Sequence, residues 1–303
     1  LRHDARLDQR SHAPLDETQV NPVAADSVRL VVNADDFGMS AAISRGILRA
    51  HREGIVTSTS LLGNCEDLPG ARALLAEAPG LGVGVHLALV GGRPVADPGE
   101  VPSLLGLGGG FHARGQDFVG AWVRGRIVRA EVERELDAQV TRVRAAGIAV
   151  DHLDTHHHLG FLPVVGRAVE TIAARHGVAG IRSAVERPTL AWATEPRRGV
   201  EAGLLTGLAW LTRRQLGARR HGPQSWGYVE AGRLDEVRIL EIVGRLGPGL
   251  HELICHPGEE DDGPGETVGR YQRMLEIAAL ASPKVRRALA TRGITLCRWG
   301  ELF

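Results

Sequence analysis

From Leu30 to the end of the chain, short apolar runs alternate with stretches of helical periodicity, and this alternation restricts the fold to helices packed on a parallel sheet. Leu30-Val31-Val32 has the composition of a strand buried on both faces. Ser40 then offers an N-cap for a helix over 41–52, in which Ile43, Ile47 and Leu48 recur near helical spacing. The pattern continues with strands over 55–62, 81–87, 148–154 and 180–182, interleaved with helices over 68–78, 128–146 and 164–176. It resumes with a helix over 234–246, a strand over 250–255, helices over 266–280 and 283–292, and a last strand over 294–297. So many repeats predict closure towards a barrel. Two stretches interrupt the pattern. Residues 91–115 are rich in Gly and Pro, too long for an ordinary connection and typical of functional or disordered loops. Residues 184–227 are hard to place beyond an amphipathic helix from Leu204 to Arg214, whose basic end comprises Arg213, Arg214, Arg219 and Arg220. That end reads either as a solvated helix terminus or as a contact for a membrane surface.

The polar residues that break the apolar runs fall at strand ends, where α/β folds place their chemistry. Asp35 and Asp36 follow the first strand directly. A regular strand would point them to opposite faces, but an irregular strand end lets both reach one cleft, one to hold a metal and the other to take a proton. A solvated loop is the plain alternative. Asp151-His152-Leu153-Asp154-Thr155-His156-His157-His158 holds four of the thirteen histidines. Neutral imidazole is a good ligand for divalent metals, and a nearby carboxylate can orient it; a surface histidine patch is the rival reading. His86 and His256 close two further strands, although a lone His in such a place is often only a hydrogen-bonded core residue. Asp36, His86, His156 and His256 thus take equivalent places on four strands. One carboxylate with two imidazoles leaves coordination positions open for water and substrate, which implies metal-assisted hydrolysis.

Composition excludes several alternatives. The 303 residues contain 36 basic and 36 acidic side chains, so nothing favours nucleic acid as the partner. Cys65, Cys255 and Cys297 are widely spaced, with no redox or metal-site pairing, which fits a reducing cytoplasmic setting. No apolar run approaches the length needed for stable membrane insertion, and residues 1–26, almost without apolar periodicity, read as a mobile arm before one domain over 27–303. Whether the chain forms a homo-oligomer is left open.

Five ordered motifs carry a resemblance. Asn33-Ala34-Asp35-Asp36-Phe37-Gly38, Gly54-Ile55-Val56-Thr57-Ser58-Thr59, Gly84-Val85-His86-Leu87, His152-Leu153-Asp154-Thr155-His156-His157-His158 and Cys255-His256-Pro257 together resemble the YdjC-like carbohydrate deacetylases, which include chitooligosaccharide and hopanoid-biosynthesis enzymes. The resemblance runs from about Arg29 to the C-terminus. It implies a distorted (β/α) TIM-like barrel that removes the N-acetyl group from an amino sugar, whether a chitooligosaccharide or a glycolipid head group. It further implies one divalent ion, Mg²⁺ or Zn²⁺, on Asp36, His86 and His156, with Asp35 as catalytic base and His256 as acid. Asp154 is expected to orient a histidine, and His157 and His158 to lie outside the ligand set. Arg182 is expected either to reach substrate or to form a salt bridge. One position departs from the family: Gly160 stands where a further His is common. The competing functions are another metal-dependent hydrolase, such as a phosphoesterase, and a metal- and sugar-binding barrel without turnover. Asp35 and His256 argue against the latter, because binding alone needs neither base nor acid.

Overall fold

The structure, a computed structural model, describes residues 27–182, 185–216, 222–260 and 271–303, without the side chains of 209 and 211–216. The elements run β1 (Val28–Phe37), α1 (Ala41–Glu53), β2 (Ser58–Leu62), α2 (Leu68–Ala76), β3 (Gly82–Leu87), α3 (Gly115–Val123), α4 (Arg129–Ala145) and β4 (His152–Thr155). There follow α5 (Pro163–His176), β5 (Gly180–Ile181), α6 (Leu190–Thr194), α7 (Pro196–Leu216), β6 (Gln224–Trp226), α8 (Glu236–Arg245), β7 (Gly249–Cys255), α9 (Arg273–Leu280), α10 (Pro283–Thr291) and β8 (Ile294–Leu296).

All strand pairings are parallel, in the order β5-β4-β3-β2-β1-β7-β6. β8 shares one edge of β1 with β2, pairing at Val28–Leu30 where β2 pairs further along. The curl is completed by a single bridge, Glu186 to Ser225, which joins the segment after β5 to β6. The result is the distorted α/β barrel expected from the sequence. β1 is its central strand, buried from Leu30 to Phe37. α1 is capped by Ser40, whose side chain accepts from the Ile43 amide, and buries Ile43, Ile47 and Leu48 against the sheet. α4 buries Val132, Leu136, Val140 and Val143 in the same way; each such side chain contributes about 1.5–3 kcal/mol on leaving water.

The structure also departs from expectation. The strand expected over 148–154 begins only at His152, and β5 ends before Arg182. α3 falls between the long loop and α4, in a stretch where no element was expected. The segment 184–227 contains α6, α7 and the three-residue β6, which is too short to show periodicity. The helix expected over 266–280 is described from Arg273; its first residues, like the 1–26 arm and Arg219 and Arg220, lie outside the described residues, as do the side chains of Arg213 and Arg214. Among the described residues no helix is long and apolar enough to cross a membrane.

Candidate metal centre and active site

Asp35 and Asp36 reach one cleft because β1 carries an extra residue. Ala34 pairs with Thr59 and Phe37 with Leu61, so three steps on β1 oppose two on β2. This is a bulge, which breaks the strict side-to-side alternation of a strand. Asp36 takes up the irregularity with φ at 71°, a left-handed conformation that Asp tolerates better than most residues. Both carboxylates are buried, at 1% and 2% exposure.

Around them stand the strand ends of β3 and β4. His86 Nε2 lies 3.8 Å from Asp36 Oδ1 and 4.0 Å from Asp35 Oδ2. His156, just past β4, places Nδ1 3.4 Å from the same Asp36 oxygen. His86 Nδ1 donates to Asp154 Oδ1 at 2.9 Å, which fixes the ring so that Nε2 faces the cleft. Asp154 is itself held, accepting from Ser60 Oγ at 2.9 Å and pairing with Arg182 at 2.5 Å. The donor atoms of Asp36, His86 and His156 all lie within 4.8 Å of one another. Tetrahedral ligands on a zinc ion sit about 3.3 Å apart, given bonds near 2.0–2.1 Å. The donor set therefore fits a divalent ion after a small contraction, and the carboxylate behind His86 is the usual support for a metal-bound imidazole.

Arg182 does not face an open cleft. Its side chain is 2% exposed, clamps Asp35 through two bonds of 2.7 Å, and reaches Glu252 through Nε at 2.9 Å. These contacts and Asp154 occupy its fork, so in this structure Arg182 stands in ion pairs, the second of its two expected places. Asn33 Nδ2 also donates to Asp35, at 2.8 Å. On the other side, Arg273 donates from NH2 to Asp36 Oδ2 at 3.0 Å and from NH1 to the His256 carbonyl at 3.2 Å, with Tyr271 stacked on its guanidinium. The two aspartates, adjacent in sequence, thus belong to different arginines. His256 is 6% exposed, its Nδ1 has no partner among the described residues, and Glu276 accepts its backbone N–H.

The electrostatics follow from these contacts. Burial alone would raise both aspartate pKa values, but Arg182 and His86 hold Asp35 below the usual range, and the His156 hydrogen bond with Arg273 holds Asp36 well below it. Burial opposes charge on His86, yet Asp154, Asp35 and Asp36 outweigh it and raise its pKa to about 9. Burial pushes His256 down to about 4 and His157 and His158 to about 3, so these three are neutral near pH 7.

The sequence reading did not single out Arg273, Glu276, Ser60 or Glu252 for the site. Glu252 carried a usable signal, since a carboxylate inside an apolar strand needs a partner. Arg273 carried none, because its contact with Asp36 spans most of the chain.

Fold and site together define an α/β barrel with a buried carboxylate–imidazole centre at its strand ends. The model of the YdjC-like protein family matches residues 29–291, and the chain belongs to that family. It is 46% identical over 281 residues to a carbohydrate deacetylase of Brevibacillus brevis, covering 91% of this chain and all of the relative. It is 31% identical over 279 residues to a chitooligosaccharide deacetylase of an Enterobacter species, covering 88% and 96%. A crystal structure of an Enterococcus faecalis protein assigned to cellobiose-phosphate cleavage superposes with a TM-score of 0.71 at 25% identity, covering 91% of this chain and 99% of that one.

Proposed function

We propose that this protein is a metal-dependent carbohydrate deacetylase that hydrolyses the N-acetyl group of an amino sugar and releases acetate. The observation that carries this reading is the division of labour at the β1 bulge: Asp36 turns towards two imidazoles while Asp35, beside it, is held by Arg182. Family membership and the deacetylases among its relatives support the same chemistry. Asp36, His86 and His156 would hold the ion, and two imidazoles with one carboxylate suit Zn²⁺ better than Mg²⁺. A bound divalent ion supplies a Lewis acid that polarises the amide carbonyl and lowers the pKa of water.

The protein's own groups do the rest. Asp35, ionised and fixed by Arg182 and Asn33, accepts the proton of the attacking water. His256 gives a proton to the departing nitrogen, without which the amine is a poor leaving group. Because burial keeps His256 neutral at rest, it takes that proton from solvent as the reaction proceeds, and Asp35 returns its own. Acetate release from N-acetylglucosamine, chitobiose and a glycosylated lipid, measured after chelation and again after adding Zn²⁺ or Mg²⁺, tests the proposal. Metal-restored acetate is expected. Cleavage of cellobiose phosphate without acetate release from any N-acetylated sugar would overturn it.

A further inference from the structure

A cavity enclosing about 300 Å³, counted with the part open to solvent, adjoins the centre just described. Its walls include Ala202 and Leu205 of α7, Ile254 of β7, Tyr228, His158 and Glu186. Two lining residues place it beside the reaction site: His158 lies two residues after His156, and Ile254 two residues before His256. Most of the exposed lining is apolar, and none of its described residues is Lys or Arg.

Glu186 is the exception that specifies a ligand. It is 5% exposed, its Oε1 accepts from the Tyr228 amide at 2.7 Å, and its Oε2 has no partner among the described residues. A buried polar atom in that state destabilises the protein until something binds it. Burial, reinforced by Glu230, pushes this carboxyl up to about 8, so near neutral pH it is mainly uncharged and can both give and accept a hydrogen bond. A phosphate or carboxylate would find no cation among the described lining residues. The methyl of an acetyl group would satisfy the apolar walls and leave Oε2 unpaired. A short alkyl arm ending in a hydroxyl satisfies both.

We propose that this cavity receives the hydroxymethyl arm of the amino sugar and that Glu186 recognises its hydroxyl, an inference that rests on the deacetylase reading above. The sugar is then selected at a position remote from the bond that breaks.

The test compares metal-loaded enzyme on an N-acetylglucosamine disaccharide, on its 6-deoxy counterpart, and on an N-acetylxylosamine counterpart that lacks the arm. Wild-type kcat/KM is expected to be about 10–100-fold lower on the 6-deoxy sugar, the cost of one unpaired buried polar group. Glu186→Leu should lower the rate on the hydroxylated sugar towards that on the 6-deoxy sugar, bringing the ratio near one. Ala202→Leu adds bulk to the cavity from α7 and leaves the Glu186 side chain in place. It should slow both arm-bearing sugars and spare the xylosamine analogue, which keeps the proposal testable if Glu186→Leu folds poorly. Acetate release without discrimination by wild type, or with the same ratio in Glu186→Leu, would overturn the subsite while leaving the deacetylase reading intact. Absence of acetate from every sugar would remove both.

Discussion

Asp35 and Asp36 are covalent neighbours with different partners, so the tasks proposed for them should be separable by single substitutions. Asp36→Ala and His156→Ala are each expected to lose bound metal, whereas Asp35→Asn should keep it and lose turnover. Elemental analysis of the purified variants beside acetate release checks this, and equal metal loss in all three would contradict it. Arg182 is a second residue whose role is set by its surroundings. Replacing it with Met leaves Asp35, Asp154 and Glu252 buried with no counter-charge from it, so Arg182→Met should cost about 3–5 kcal/mol of folding stability. Guanidinium unfolding measures that loss, and a change below about 1 kcal/mol, the size of an exposed pair, would contradict the buried network. At this scale the sequence was informative wherever a polar residue interrupted an apolar run, as at Asp35, His86 and His256. It was silent on Arg273, which is recognisable only through a partner 237 residues away.

At the scale of elements, the site depends on how closely backbones approach. Gly46 of α1 lies against Gly258, two residues beyond His256: a Cβ at position 46 would fall 2.3 Å from the Gly258 Cα. Gly46→Val should therefore push the turn carrying His256 away from α1, costing about 1–3 kcal/mol through overpacking. It should also reduce acetate release at temperatures where the variant is still folded. Thermal unfolding and activity measured together check this, and full activity in a destabilised variant would show that the turn does not position His256. The turn after β4 is similarly constrained, with His157 and His158 both at positive φ, 54° and 52°. Residues held in that region cost energy, and such strain clusters at functional sites. The elements themselves were legible where periodicity was long, as in α1, α4 and α5. α6 and β6 were not, because three to five residues contain too little of any period to register.

Across the whole molecule, buried ionisable groups set the response to pH. The folded protein keeps Glu186 protonated up to about pH 8, whereas the unfolded chain ionises it from about 4.5. It likewise holds the His86 proton up to about pH 9 against an ordinary 6.5. In both windows the folded state binds more protons than the unfolded one, so stability falls as pH rises. The Tm of the metal-free protein should drop between pH 7 and pH 9, above the range in which His157, His158 and His256 take up protons on unfolding, by about 2–4 °C for each kcal/mol lost in a chain of this size. Glu186→Gln should make the slope shallower, and Zn²⁺, which requires deprotonated His86, should raise Tm most at the alkaline end. A Tm that stays flat or rises with pH would contradict the arrangement. By itself the sequence determined the α/β class, the strand-end location of the chemistry and the residues of the acid–imidazole cluster, because strand and helix periods and the polar residues that end them are local properties. Only the tertiary structure decided that a bulge turns Asp35 and Asp36 into one cleft, that Arg182 is enclosed among carboxylates, and that α7 and Glu186 wall a cavity beside the centre. Those facts depend on segments brought together across the sheet, and no local pattern along the chain encodes such distances.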